Sequence, residues 1–200
     1  MKDQLFVKTR LYFTGIVTIA IWSLLIWNHY HGGVPSHHVL AREDLPSISN
    51  WWGGILIPLI TWFLLSRIQK RIILNNAGKS EPSGFSKNIL YGFAGALFFG
   101  ILLSAFFSLG YTDIPGYMLL GLLLLALFFP IYRAECLLGF VIGMTYTFAP
   151  VLPTGIGFIL VLIGLVIHLG VRPIIIYITS MIGSLATSNE FKTDRFTKSE

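Results

Sequence analysis

Four of the five histidines fall between the first two apolar stretches, at His29, His31, His37 and His38, and two carboxylates, Glu43 and Asp44, follow directly. Imidazole nitrogen and carboxylate oxygen are the usual ligands of zinc and other divalent first-row metals. A catalytic zinc site needs three protein ligands and an open position for water. Bound water whose pKa falls to about 7 can attack an ester or amide. The four histidines are therefore candidate metal ligands, and Asp113 is the distant acid best placed to complete the set. Asp44 and Glu43 are the candidate catalytic carboxylates, as ligand, orienting partner or general base. The spacing matches no established signature such as HExxH.

The expected chemistry is a metal-dependent hydrolase acting on a lipid or lipid-linked substrate at the membrane surface. The alternative is a small homo-oligomeric transporter or channel in which the same segment forms an outer gate, since histidine titrates near neutral pH. Two plainer roles compete with both: a hydrogen-bonded lid, and a loop that binds a partner protein.

The elements that must position this segment are apolar helices. Hydrophobic residues make up 54% of the 200-residue chain and charged residues 12%, with a mean hydropathy of +0.75. Soluble domains carry about a quarter charged residues, so the composition implies an integral membrane protein. One cysteine, Cys136, excludes an internal disulfide framework and cysteine-based zinc motifs, and its apolar neighbours make it a packed thiol. The net charge of +5 sits just beyond the ends of the apolar stretches, which argues for topology signals over nucleic-acid binding. The N-terminal Lys2, Lys8 and Arg10 resemble a signal-peptide n-region. The apolar run after them is too long for an h-region and lacks a cleavage site, so a retained first span is expected.

Six spans fit the pattern, from Leu11 to Asn28, Trp51 to Ser66, Ile89 to Leu109, Tyr117 to Tyr132, Glu135 to Leu152 and Ile156 to about Tyr177. The fold class is an all-α membrane bundle, with residues 1–185 as one transmembrane domain and 186–200 as a polar cytoplasmic tail. Placing both termini inside puts thirteen of the fourteen basic residues on the inner side and leaves only Arg42 outside. The histidine segment then lies on the outer face of the cell (inner) membrane, at headgroup depth between Trp27 and the Trp51-Trp52 pair. Within it, Gly32-Gly33 permits a sharp turn, and Pro35-Ser36 opens a short interfacial helix to about Arg42. Ser49 or Asn50 caps the second span.

Gly92, Ala96, Gly100 and Ser104 recur every fourth residue, and Gly139 and Gly143 repeat the pattern later. Such stripes let helices approach closely, within the chain or between copies of a homo-oligomer. Glu135, two residues after Arg133, is expected to pair at the inner interface. His168, one turn from Arg172, reads as a hydrogen-bonded packing residue, and Pro173 should kink the last helix. A bis-histidine haem site is disfavoured because only His168 lies within a span. A di-iron desaturase needs more histidines than the chain has, and no phosphate-binding loop, nucleophile elbow or dinucleotide fingerprint occurs in a usable context.

Overall fold

The apolar stretches form helices in the computed structural model, which describes residues 2–33, 36–38, 47–76, 87–111 and 113–182. The elements in chain order are α1 (Lys2–Tyr30), β1 (Ser36–His38), β2 (Ser47–Ser49), a 3-10 turn (Asn50–Trp52), α2 (Gly53–Asn76), α3 (Lys87–Ser108), α4 (Asp113–Phe128), α5 (Ala134–Phe148) and α6 (Val151–Val166). A π-helical turn (Ile167–Val171) then carries α6 into a further helical stretch over residues 172–182. Among the described residues, four stretches are long and apolar enough to cross a membrane: Phe6–Tyr30, Asn50–Leu74, Lys87–Ser108 and Val151–Ile182. The 16 residues of α4 and 15 of α5 are apolar but shorter. At 1.5 Å per residue they reach about 24 and 22 Å, less than the roughly 30 Å of a bilayer's hydrocarbon core. Large apolar side chains such as Ile16, Leu59, Phe98, Leu124 and Leu162 are exposed around the whole bundle, which suits a lipid surround.

Successive helices alternate in direction. Gly54 of α2 approaches Trp22 and Leu25 of α1, while Phe6 at the other end packs on Ile68 and Ile72. The N-termini of α1, α3 and α5 therefore share one end of the bundle with Arg67, Lys70 and Arg71 of α2, here called the basic end. His29, His31 and Asp113 lie at the opposite, histidine end. The main core joins Ile21 and Leu25 of α1, Ile57, Ile60 and Leu64 of α2, Leu103 of α3, and Leu137, Leu138, Phe140, Val141 and Met144 of α5. Helix α5 is the central element.

Prolines set two boundaries. Helix α4 ends at Phe128, four residues before the expected Tyr132, because Pro130 cannot donate into the ladder and disfavours helix in the residue before it. Near Pro173 the chain does not break. Arg172 N–H donates to the carbonyl of Ile167, five residues back, so the ladder widens by one residue just where the proline ring would clash with a carbonyl four residues earlier.

The short interfacial helix expected from Pro35-Ser36 onward is not what forms at its start. Ser36–His38 is a strand, paired antiparallel with Ser47–Ser49 in the register Ser36 with Ser49, His37 with Ile48 and His38 with Ser47. A two-turn helix in isolation must overcome a costly nucleus, whereas pairing satisfies the backbone at once. Gly32 and Gly33, at φ of 116° and 91°, make the expected sharp turn that brings the chain back. Ser49 caps the 3-10 turn, its Oγ accepting from Trp51 N–H at 3.4 Å.

Candidate functional site: an apolar cavity at the basic end

Helices α3 and α5 run parallel and make the closest approach in the fold. A Cβ on Gly100 would stand 2.9 Å from the Phe140 carbonyl oxygen and 3.3 Å from Gly143 Cα. One on Gly143 would stand 2.5 Å from the Leu97 oxygen, and one on Gly139 would overlap the Phe93 oxygen. The small-residue stripe on α3 thus meets its counterpart on α5, backbone to backbone. The Gly92/Ala96/Gly100/Ser104 face, expected to serve helix packing or contacts between copies, is covered by α5 of the same chain at Gly92, Ala96 and Gly100, and Ser104 is buried.

Beside this seam the packing opens. A cavity of about 300 Å³ lies between α3, α4, α5 and α6, lined by Tyr91, Gly92, Gly95, Ala96 and Phe99, by Leu122, Leu125, Phe129 and Ile131, by Cys136, Leu137 and Phe140, and by Gly157, Leu160 and Val161. Its volume matches the lower end of ligand pockets, and its lining is almost wholly apolar. Missing side chains make the room. Nothing lies within 4 Å of where a Cβ on Gly95 would stand, whereas Gly157 sits tight against Leu137. The exposed lining residues Tyr91, Gly95, Leu125 and Phe129 belong to α3 and the end of α4, so the cavity opens sideways between those two helices.

An ion pair stands behind the cavity wall. Arg71 Nη2 of α2 donates to Glu135 Oε1 of α5 at 2.7 Å, with the glutamate side chain only 1% exposed. The carboxylate stem occupies the space left by Gly92, whose Cβ would lie 3.1 Å from Glu135 Cγ and 3.4 Å from Cys136 Sγ. Glu135 Oε2 is buried with no hydrogen-bond partner among the described residues. Glu135 was expected to pair, and it does, but its partner comes from 64 residues earlier and not from neighbouring Arg133. Cys136, half-buried, lines the cavity.

The side of the cavity formed by α4 and α6 is held by His168. Its Nδ1–H donates to the Ala126 carbonyl at 2.9 Å, its Nε2 accepts from Arg172 Nη1 at 3.1 Å, and its ring lies 5.6 Å from that of Tyr132. The proline explains the first contact. The donor to the Ala126 carbonyl in a continuing helix would be residue 130, and Pro130 has no N–H, so the histidine satisfies a fully buried acceptor that would otherwise be orphaned. The expectation of a hydrogen-bonded packing histidine holds.

At the histidine end, His31 Nδ1–H donates to the Trp27 carbonyl at 2.9 Å and its ring stacks on the indole at 3.9 Å. His29 stands edge-on to Tyr30 and Trp51, at 5.3 and 5.9 Å. His37 and His38 are placed by their backbone in β1, and Glu43 and Asp44 lie outside the described residues. Asp113 is exposed in the first turn of α4, where a negative charge is favoured by the helix dipole. Among the described residues, no three of the His, Cys, Asp and Glu side chains gather closely enough to hold a metal.

Sequence reading missed Arg71 and Gly95. Gly95 did carry a signal: it sits mid-helix, off the every-fourth-residue stripe, where glycine costs about 1 kcal/mol relative to alanine with no seam to justify it. No family model, curated protein or solved structure matches the chain.

Proposed function

We propose that this chain is a multi-pass membrane protein that takes the apolar chain of a lipid or lipid-linked molecule between α3, α4, α5 and α6. The observation that carries the reading is the laterally open apolar cavity of about 300 Å³. A void of this kind inside a lipid-facing bundle is filled by a hydrocarbon chain more favourably than by water, which finds too few polar partners there. In this reading all six helices are embedded, α4 and α5 meeting a locally thinner or tilted fit. The basic end faces the cytoplasm with both chain termini, and the histidine end faces outward from the cell (inner) membrane. The test is native mass spectrometry of the purified protein with monooleoylglycerol. Gly95→Leu, which has room to project into the cavity, is expected to abolish the bound mass without lowering thermal stability. Undiminished binding in that variant would refute the site, and accessibility labelling of a cysteine placed at position 31 checks the orientation.

One observation favours a second reading, the metal-dependent hydrolase with a divalent metal such as zinc at the histidine end. A metal-bound imidazole almost always donates its other N–H to a carbonyl or carboxylate, and the His31–Trp27 bond is that arrangement, leaving Nε2 for a ligand. His29, His37 and His38 would complete the set, with Glu43, Asp44 or Asp113 as the acid. Elemental analysis decides it: stoichiometric metal, lost in the His37→Ala/His38→Ala variant, is expected. Metal-free protein whose melting temperature ignores added zinc would end this reading. Nothing specific favours the transporter alternative.

A further inference from the structure

We infer that the occupant of the cavity is a single-chain amphiphile with a phosphate head, its tail in the cavity and its phosphate between Lys87 and Arg133; this rests on the lipid-chain reading above. The parallel seam places the two cations. Gly92 lies against Glu135, Ala96 against Gly139 and Gly100 against Gly143, so α3 and α5 are in register from their starts. At 1.5 Å per residue, Lys87 stands about 7.5 Å and Arg133 about 3 Å beyond the Gly92–Glu135 level, toward the basic end.

Both are close along the chain to residues that line the cavity. Lys87 is four residues before Tyr91, hence on the same face of α3, and Tyr91 lines the cavity. Arg133 lies between Ile131 and Cys136, which also line it. Neither cation has an acidic partner among the described residues. Among the described residues the carboxylate nearby is Glu135, which pairs with Arg71 through Oε1. Two cations without an acidic partner among the described residues, near the polar end of an apolar cavity, complement a phosphate, which arginine can bind in a bidentate manner and lysine as a point charge. The shape of the site also limits the ligand to one chain, since about 300 Å³ is small for a pocket meant to hold two.

The test compares two probes that share an oleoyl chain, lysophosphatidate and monooleoylglycerol, by native mass spectrometry of the full chain, with inorganic phosphate alone as a third arm. The wild type is expected to hold lysophosphatidate about tenfold more tightly than monooleoylglycerol. The K87Q/R133Q double variant should remove that preference while leaving monooleoylglycerol binding and thermal stability unchanged, and inorganic phosphate at millimolar concentration should not displace the lipid. Equal affinity for the two probes in the wild type would overturn the inference, as would a preference that survives in the double variant, and either leaves the chain-binding reading standing. Displacement by phosphate alone would show an ion site independent of the cavity and would also overturn it. If neither probe binds, or Gly95→Leu binds both as before, the lipid-chain reading fails and this inference falls with it.

Discussion

Helix α3 shows two faces that use glycine for opposite ends. On one, Gly100 brings α3 against α5 so closely that an added Cβ would meet the Phe140 carbonyl at 2.9 Å. On the other, the Cβ missing at Gly95 leaves nothing within 4 Å. The first absence is filled by a neighbouring backbone and stiffens the bundle; the second leaves a void. The same residue type, five residues apart on one helix, therefore marks both a tight backbone seam and an open space, and only tertiary context separates them.

That contrast can be broken at four places. The largest effect is expected from Arg71→Ala, which strands the buried Glu135 carboxylate beside the seam; the loss should be about 3–5 kcal/mol, read from thermal unfolding in detergent. Gly139→Ala forces a Cβ into the Phe93 carbonyl, a backbone atom that cannot swing aside, and should cost about 1–3 kcal/mol. His168→Ala removes the donor from the buried Ala126 carbonyl on the cavity side and should cost about 1 kcal/mol. Pairing it with Pro130→Ala, which restores a backbone donor, should recover part of that loss. The smallest effect, of opposite sign, is expected at Gly95→Ala: a gain of up to about 1 kcal/mol from helix propensity, with no clash. If Gly95→Ala were as harmful as Gly139→Ala, the two faces would not differ as described.

The helices, the Gly32-Gly33 turn and the two small-residue stripes were legible in the sequence, because each is encoded by local composition or a four-residue repeat, but that one stripe packs on the other was not. The Arg71–Glu135 pair was not. Proximity in sequence pointed to Arg133, yet residues two apart do not face each other on a helix, and Arg133 stands in extended conformation just before α5, outside its helical turns. The ribbon of Ser36–His38 and Ser47–Ser49 escaped for another reason: three-residue strands carry no periodicity, and they exist only because they pair. A cavity is harder still to read, being the space that four separate helices fail to fill.

The widened turn at Ile167–Val171 has an azimuthal consequence. Each residue of an α-helix advances about 100° around the axis, so the one residue that the π turn inserts swings everything after it by that angle. Ile174, Ile178 and Ile182 therefore point about 100° away from the direction an unbroken α6 would have given them. Deleting one residue from 167–171 would let the turn close to α geometry and leave that stretch pointing as it does, whereas straightening the turn at constant length would swing the stretch by about 100°.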